Sequence, residues 1–289
     1  MRTVKAVWEL LRLEHGLMYA MGVLSGIVVS SGLNFSWEKA LLGMLSAIFL
    51  QASGFALNDY LDYEVDVANE RFDRPLVRGE LSRRVALILT FLLAPFGLVS
   101  AYLISLKAFL FAFSVSVLGY LYDLKLKETG IAGNIYIAFS MAVPFLFGSI
   151  VAKGEICGAV IILSGIAFLS GVGREIMKGI EDVKGDAIRG VKTVARVFGI
   201  KTAATAAAIL YIISVLMSVL PPVLFKRFAN PGYAPVVITD IILLQCSLEL
   251  LRIARGDGEN AIKAIRKLRK KTLVALSFGL LGFVLAAVF

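Results

Sequence analysis

Charge is scarce in this sequence. Of its 289 residues only 18% are Asp, Glu, Lys or Arg, where a soluble domain carries roughly 25%. Cysteine is scarcer still. The two present, Cys157 and Cys246, both lie inside apolar runs; they exclude a disulfide framework and read as small buried apolar residues. The one histidine, His15, stands where the first apolar run begins and reads as an interfacial residue rather than a base. What fills the space is hydrocarbon: 58% of residues are apolar and the mean hydropathy is +0.84. This composition excludes disorder, a coiled coil and an ordinary soluble globule, and fits a chain that sits mostly in lipid. The net charge of +9 would suit nucleic acid, but in a membrane chain Lys and Arg gather in cytoplasmic loops.

A spanning helix needs about 20 mainly apolar residues. Stretches free of Asp, Glu, Lys and Arg run over 15–37, 40–58, 85–106, 108–122, 129–152, 156–173, 202–225 and 272–289. A ninth candidate, 233–251, is interrupted by Asp240 and Glu249. Counting outward from the N-terminus, 25 of the 30 basic residues fall on one side of the membrane and five on the other. That asymmetry puts the N-terminus and the even-numbered connections in the cytoplasm. The expectation is an all-α polytopic membrane protein with nine transmembrane helices, forming one domain over 1–289. Glu9 and Glu14 before a long apolar run fit a first membrane helix rather than a cleaved signal. Residues 1–14 place Val4, Val7, Trp8 and Leu11 at helical spacing, as in an amphipathic helix on the inner leaflet, and 261–271 read similarly. Membrane lipid is therefore an expected partner and nucleic acid is not.

The polar connections differ in kind. Those on the outer side are short, whereas two on the cytoplasmic side are acidic as well as basic. In the second connection Asn58, Asp62 and Asp66 are spaced i, i+4, i+8. At about 100° per residue such positions drift only about 40° per step and share one helix face. Asp182 and Asp186 repeat the spacing in the sixth connection. Carboxylates at i, i+4 repel, so placing them twice at the ends of membrane helices asks for a cation. Carboxylate and amide oxygens are hard ligands suited to Mg²⁺, which completes its shell with water and phosphate oxygens. Two acidic walls around a metal-bound phosphate ester are expected. Arg74 and Arg78 follow the first motif, Lys127 lies in the fourth connection and Lys178 precedes the second motif; arginine offers phosphate a fork and lysine a point charge. Asp59, Glu64, Glu70 and Glu181 adjoin the motifs but fall off their spacing, and read as supporting or surface groups.

At these residues the sequence resembles the UbiA superfamily of intramembrane prenyltransferases. Its first signature, Asn-x-x-x-Asp-x-x-x-Asp, is matched by Asn58, Asp62 and Asp66, and its second, Asp-x-x-x-Asp, by Asp182 and Asp186. An Arg-Pro after the first is matched by Arg74-Pro75, and a Tyr-x-x-x-x-Lys by Tyr122 and Lys127. The resemblance implies nine helices around a central cavity. It also implies that Asp62, Asp66, Asp182 and Asp186 hold two Mg²⁺ ions on the diphosphate of an isoprenyl donor, with Asn58 assisting. Arg74, Arg78, Tyr122, Lys127 and Lys178 would bind substrate. The chemistry implied is cleavage of the C–O bond toward an allylic carbocation, captured by an acceptor in a chamber that excludes water.

Members acting on aromatic acids carry Asp-x-x-Tyr-Ala-x-x-Asp before the second signature. This sequence has Glu175, Lys178 and Gly179 instead, and a lysine there suits a lipophilic acceptor bearing phosphate. It looks like the archaeal ether-lipid branch. That likeness implies transfer of geranylgeranyl from geranylgeranyl diphosphate to the sn-2 hydroxyl of geranylgeranylglyceryl phosphate at the cytoplasmic side of the cell membrane. The alternative within the family is a 4-hydroxybenzoate-type prenyltransferase of quinone biosynthesis. Outside the enzyme class stands a secondary transporter; transporters, however, place ionisable groups near the midplane, and here only Asp240 falls mid-span.

Overall fold

The computed structural model describes residues 2–188, 190–256 and 261–289, and among them every regular element is helical. In chain order these are α1 (Arg2–Leu11), α2 (Leu13–Ser31), α3 (Trp37–Leu61), α4 (Tyr63–Ala68), α5 (Arg83–Ile104), α6 (Leu106–Leu124) and α7 (Ile131–Lys153). There follow α8 (Gly158–Glu181), α9 (Val183–Ile188), α10 (Val194–Ser218), α11 (Leu220–Leu224), α12 (Ala234–Arg255) and α13 (Ala261–Val288). Nine segments among the described residues are long and apolar enough to cross a membrane, as the sequence predicts. Only helices and closed barrels satisfy their backbone in hydrocarbon, so an all-helical chain of this hydropathy follows from the solvent. The short fourth candidate gains its length by running past Lys107, over Leu106–Leu124. The interrupted ninth candidate forms a full span, Pro231–Arg255.

Helix boundaries obey local chemistry. Ser36, Ser82 and Ser105 cap α3, α5 and α6, each side chain accepting an N–H three residues on. Pro221 and Pro222 open α11 in its first turn, where the missing N–H costs nothing. Pro95 and Pro144 instead lie inside α5 and α7 without ending them, as happens in membrane helices whose neighbours re-satisfy the freed groups. The break inside α10 falls at Gly199, at φ 84 and ψ 162, a conformation open to glycine.

The chain divides into two compact units. The first comprises Met1–Ile27, Asn34–Lys125 and Phe147–Ile156; the second comprises Val28–Leu33, Leu126–Leu146 and Cys157–Phe289. In the first, α3 packs on α5 and α6, and α1 lies against α3. Its interior joins Val23, Ile27, Ala101, Phe147 and Val151. The buried Ser53 hydroxyl reaches the Thr90 carbonyl at 2.9 Å and Tyr120 at 2.8 Å, tying α3 to both partners. Helix α1 is not simply a lipid-facing amphipath: Ala6 and Leu10 pack on Leu76, Leu81 and Ala86, while Val4 and Trp8 remain exposed.

In the second unit α10 packs between α8 and α12, and α13 lies on α12 and α8. The contact face of α10 is a stripe of fully buried alanines, Ala203, Ala204, Ala207 and Ala208. Small residues let membrane helices approach where no hydrophobic effect drives them together. The basic stretch 261–271 is the opening part of α13 and continues into the last span without a break; no glycine or proline separates the two. Helices α2 and α7 approach closely at Gly148, where a Cβ would stand 2.2 Å from the Val23 carbonyl oxygen. Gly148→Ala should therefore force α2 and α7 apart there. A loss of about 2 kcal/mol is expected, read as a lowered thermal midpoint in detergent; an unchanged midpoint would mean the crossing is loose.

Candidate active site

Both acidic motifs are built in the same way. A membrane helix ends one residue before the first aspartate, at Leu61 or Glu181, and a six-residue helix follows, Tyr63–Ala68 or Val183–Ile188. The aspartate at the junction is barely off-helical, Asp62 at φ -82 and ψ -3, Asp182 at φ -94 and ψ 7. Helical bonding continues through the junction. The Asp62 N–H donates to the Asn58 carbonyl at 2.9 Å and that of Asp66 to Asp62 at 2.8 Å. Asp182 donates to Lys178 and Asp186 to Asp182, both at 2.9 Å. The one-turn spacing expected of the motifs is thus kept, which aligns their carboxylates.

Each short helix also stops in the same way. Four residues beyond the second aspartate the backbone turns left-handed, at Glu70 with φ 52 and at Gly190 with φ 76. The next N–H, of Arg71 or Val191, returns 3.0 Å to the carbonyl of Asp66 or Asp186. This is the six-to-one bond of a Schellman cap. Glycine suits the left-handed position; glutamate there costs roughly 1–2 kcal/mol.

In the first unit, Asp66 is buried, and burial together with the charge of Asp62 pushes its carboxyl above the usual range. Arg74 stands beside it, with Nε 3.8 Å from Asp66 and Nη1 donating to Asp59 at 2.9 Å. Asn58 donates through Nδ2 to Asp123 on α6 at 3.1 Å. Asn58, Asp62, Asp66 and Arg74 are therefore assembled at one end of this unit. Arg78 commits its guanidinium to Glu9, to Glu80 at 2.7 Å and to the Phe72 carbonyl at 2.9 Å, bracing the loop onto α1. Arg71 forms two 2.8 Å bonds to Asp73 and holds that carboxyl below its usual range. Tyr122 lies half-buried near the end of α6.

In the second unit, Asp186 is buried and Asp182 half-buried. Lys178 is half exposed, 4.0 Å from Glu175. Arg196 donates to the Asp186 carbonyl at 3.3 Å and the Val191 carbonyl at 2.8 Å, closing the cap. Lys127 sits in a 3-10 turn, Leu126–Thr129. The following Gly130, at φ 67, lies so close to the chain after the second motif that a Cβ would meet the Lys192 carbonyl oxygen at 2.2 Å. The turn bearing Lys127 is thereby seated on the second motif's own loop.

Three carboxylates outside the signature spacing find partners: Asp59 and Glu181, read from the sequence as supporting or surface groups, and Asp123, which the sequence reading did not single out. Asp123 meets Asn58 from another helix. Asp59 is buried between Arg12 at 2.8 Å and Arg74 at 2.9 Å. Glu181 holds Arg266 at 2.7 Å and Arg269 at 2.6 Å. The local signal available was an acid at the end of an apolar span, a costly position that asks for a partner, but the partners lie far off in sequence.

The donor set fits a hard divalent cation. Each motif offers two carboxylates one turn apart, and the first adds Asn58. Among the described residues no group of three or more His, Cys, Asp or Glu stands close enough to hold a metal ion by itself, so each carboxylate pair would need ligands from elsewhere. Mg²⁺ suits such an open set, since it keeps sites for water and phosphate.

An integral, multi-pass, all-helical membrane protein with two acidic, arginine-braced helix ends is the class these features define. The chain belongs to the UbiA prenyltransferase family, which it matches over residues 19–268, and it is a prenyltransferase. It is 56% identical over 284 residues to the digeranylgeranylglyceryl phosphate synthase of Archaeoglobus fulgidus, covering 98% of this chain and 95% of that protein. To the synthase of that name from Pyrococcus furiosus it is 38% identical over 282 residues, covering 96% and 97%. A solved structure concerning digeranylgeranylglyceryl phosphate synthase in membranes superposes with a TM-score of 0.86 at 30% identity, over 100% of this chain and 99% of that one. A UbiA homologue from Archaeoglobus fulgidus bound to GPP and Mg²⁺ shares the fold, with a TM-score of 0.69 at 23% identity over 95% and 98%. Membership in a transferase family sets the transporter reading aside.

Glu70→Gly, which removes the left-handed strain at the first cap, should leave stability unchanged or raise it by up to about 1 kcal/mol. Thermal unfolding in detergent reads this, and a clear loss would mean that Glu70 itself holds the turn.

Proposed function

We propose that this chain catalyses the Mg²⁺-dependent transfer of a geranylgeranyl group from geranylgeranyl diphosphate to the sn-2 hydroxyl of geranylgeranylglyceryl phosphate. The observation that carries this reading is the 56% identity, over nearly all of both chains, to a relative named for that product. Lys178 and Gly179 support it, since they replace the Tyr-Ala of aromatic-acceptor members with a cation and no side chain. Half-exposed Lys178 offers a point charge to an acceptor phosphate.

In this reading Asp62 and Asp66 would hold one Mg²⁺ and Asp182 and Asp186 a second, to meet the donor's diphosphate. When bound, the ions neutralise charge building on the departing diphosphate. The protein's own groups do the rest. Asn58, held by Asp123, fixes the first pair's orientation. Arg74 and Lys127 take diphosphate oxygens, Arg74 through its fork. Tyr122 and Arg78 complete the donor end, Arg78 through the loop it braces. The surrounding hydrocarbon keeps water from an allylic cation before the acceptor hydroxyl reaches it. The distribution of basic residues supports placing this chemistry at the cytoplasmic side of the cell membrane.

Purified protein with Mg²⁺ and labelled geranylgeranyl diphosphate should alkylate geranylgeranylglyceryl phosphate and lose activity on chelation; preference for 4-hydroxybenzoate would overturn the acceptor. Asp62→Asn and Asp182→Asn should each cut turnover by about 10²-fold or more while the thermal midpoint stays near wild type. Retained activity in either variant would remove that motif from the chemistry.

A further inference from the structure

The least exposed acid of the first unit is not a member of its signature. Asp59 lies one residue past Asn58 at the end of α3, 2% exposed, and its Oδ1 accepts from both Arg12 and Arg74. Its Oδ2 is buried with no hydrogen-bond partner, and so is the Nε of Arg74. Both guanidiniums are largely sheltered, at 18% and 17% side-chain exposure. Arg12 also lies over the Phe55 ring at 4.1 Å. It takes a left-handed backbone, φ 45, at the junction of α1 and α2, a cost that persists only where the surroundings over-determine it.

One carboxylate faces two arginines here, and the next anions, Asp73 at 3.7 Å and Asp66 at 3.8 Å from Arg74 Nε, stand beyond hydrogen-bond reach. Asp66 is itself needed for a cation in the function proposed above. Buried ion pairs contribute little net stability, so stability alone gives small reason to keep a carboxylate between two guanidiniums. What the arrangement does accomplish is geometric. Asp59 holds one edge of Arg74 so that its Nε stays beside Asp66 and Asp73, leaving the guanidinium oriented toward the acidic pair. Through Arg12 the same carboxylate ties the surface helix α1 to that end of α3.

We propose that Asp59 is a positioning residue, which orients Arg74 for the diphosphate of the prenyl donor and fastens α1 to the donor end through Arg12. This rests on the reading that the chain binds an isoprenyl diphosphate, and the test separates the two. Titration calorimetry of full-length protein with Mg²⁺ and geranylgeranyl diphosphate, without acceptor, reads donor affinity directly. If wild type binds no donor, the function beneath fails. If it binds, Asp59→Asn should weaken donor binding about tenfold or more, the scale of a charged hydrogen bond. In steady state the donor KM should rise by the same factor while the acceptor KM is unmoved. The decisive comparison is a double-mutant cycle. With Arg74→Gln in place, Asp59→Asn should weaken donor binding less than threefold further. Equal weakening in both backgrounds would overturn the proposal, because Asp59 would not act through Arg74. So would a lowered thermal midpoint with all kinetic constants kept, the mark of a merely structural ion pair. Should Asp59→Asn fail to fold, Asp59→Glu, which keeps the charge but displaces it, should give a smaller loss confined to the donor; an equal loss for donor and acceptor would overturn the assignment.

Discussion

Two carboxylates one helical turn apart, at the end of a helix that has just crossed the membrane, are the arrangement around which the rest of this protein is organised. Alone they repel and destabilise the turn that carries them. The burial of Asp66 sharpens the conflict, and its carboxyl responds by holding its proton more tightly. The chain accepts this twice, with the same local architecture: a junction aspartate, a six-residue helix and a Schellman cap. In the proposed function a divalent cation with phosphate oxygens would convert that repulsion into binding, which would link the motif to prenyl transfer.

Around each pair stands a second layer of charge. Asp59 between Arg12 and Arg74, and Glu181 between Arg266 and Arg269, are alike in form: one acid clamped by two arginines, Arg12 coming from the N-terminal part of the chain and both Arg266 and Arg269 from the C-terminal part. Guanidiniums so held lose less freedom on binding an anion than free ones would. The surface segments are thereby tied to the helix ends that carry the motifs. Helix α1 meets the first unit through Arg12, Glu9 and the buried Ala6 and Leu10. The basic opening of α13 meets Glu181 and, through the Arg269 carbonyl, Arg174.

The scaffold beneath needs little polar chemistry because lipid gives the backbone no alternative to helix. Packing is instead a matter of close approach. Gly148 against Val23 and the alanine stripe of α10 set distances that larger side chains forbid, and single hydroxyl contacts such as Ser170 to Ser214 and Thr239 to the Ala275 carbonyl join neighbouring helices.

The number of spans, the spacing of Asn58, Asp62, Asp66 and of Asp182, Asp186, and the lysine that replaces an aromatic acceptor pattern at position 178 were all legible in the sequence. Each depends on short-range periodicity or on transfer from water to lipid, which any stretch of chain carries with it. Legibility failed where the partner was remote. That α1 turns part of its apolar surface onto Leu76 and Leu81, that 261–271 continues directly into the last span, and that Arg78 braces a loop against Glu9 were decided by packing. The same holds for Asp59, Asp123 and Glu181, whose partners lie 47, 65 and 85 residues away. A buried charge takes whichever opposite charge the fold delivers to it, and only the tertiary structure decides which one arrives.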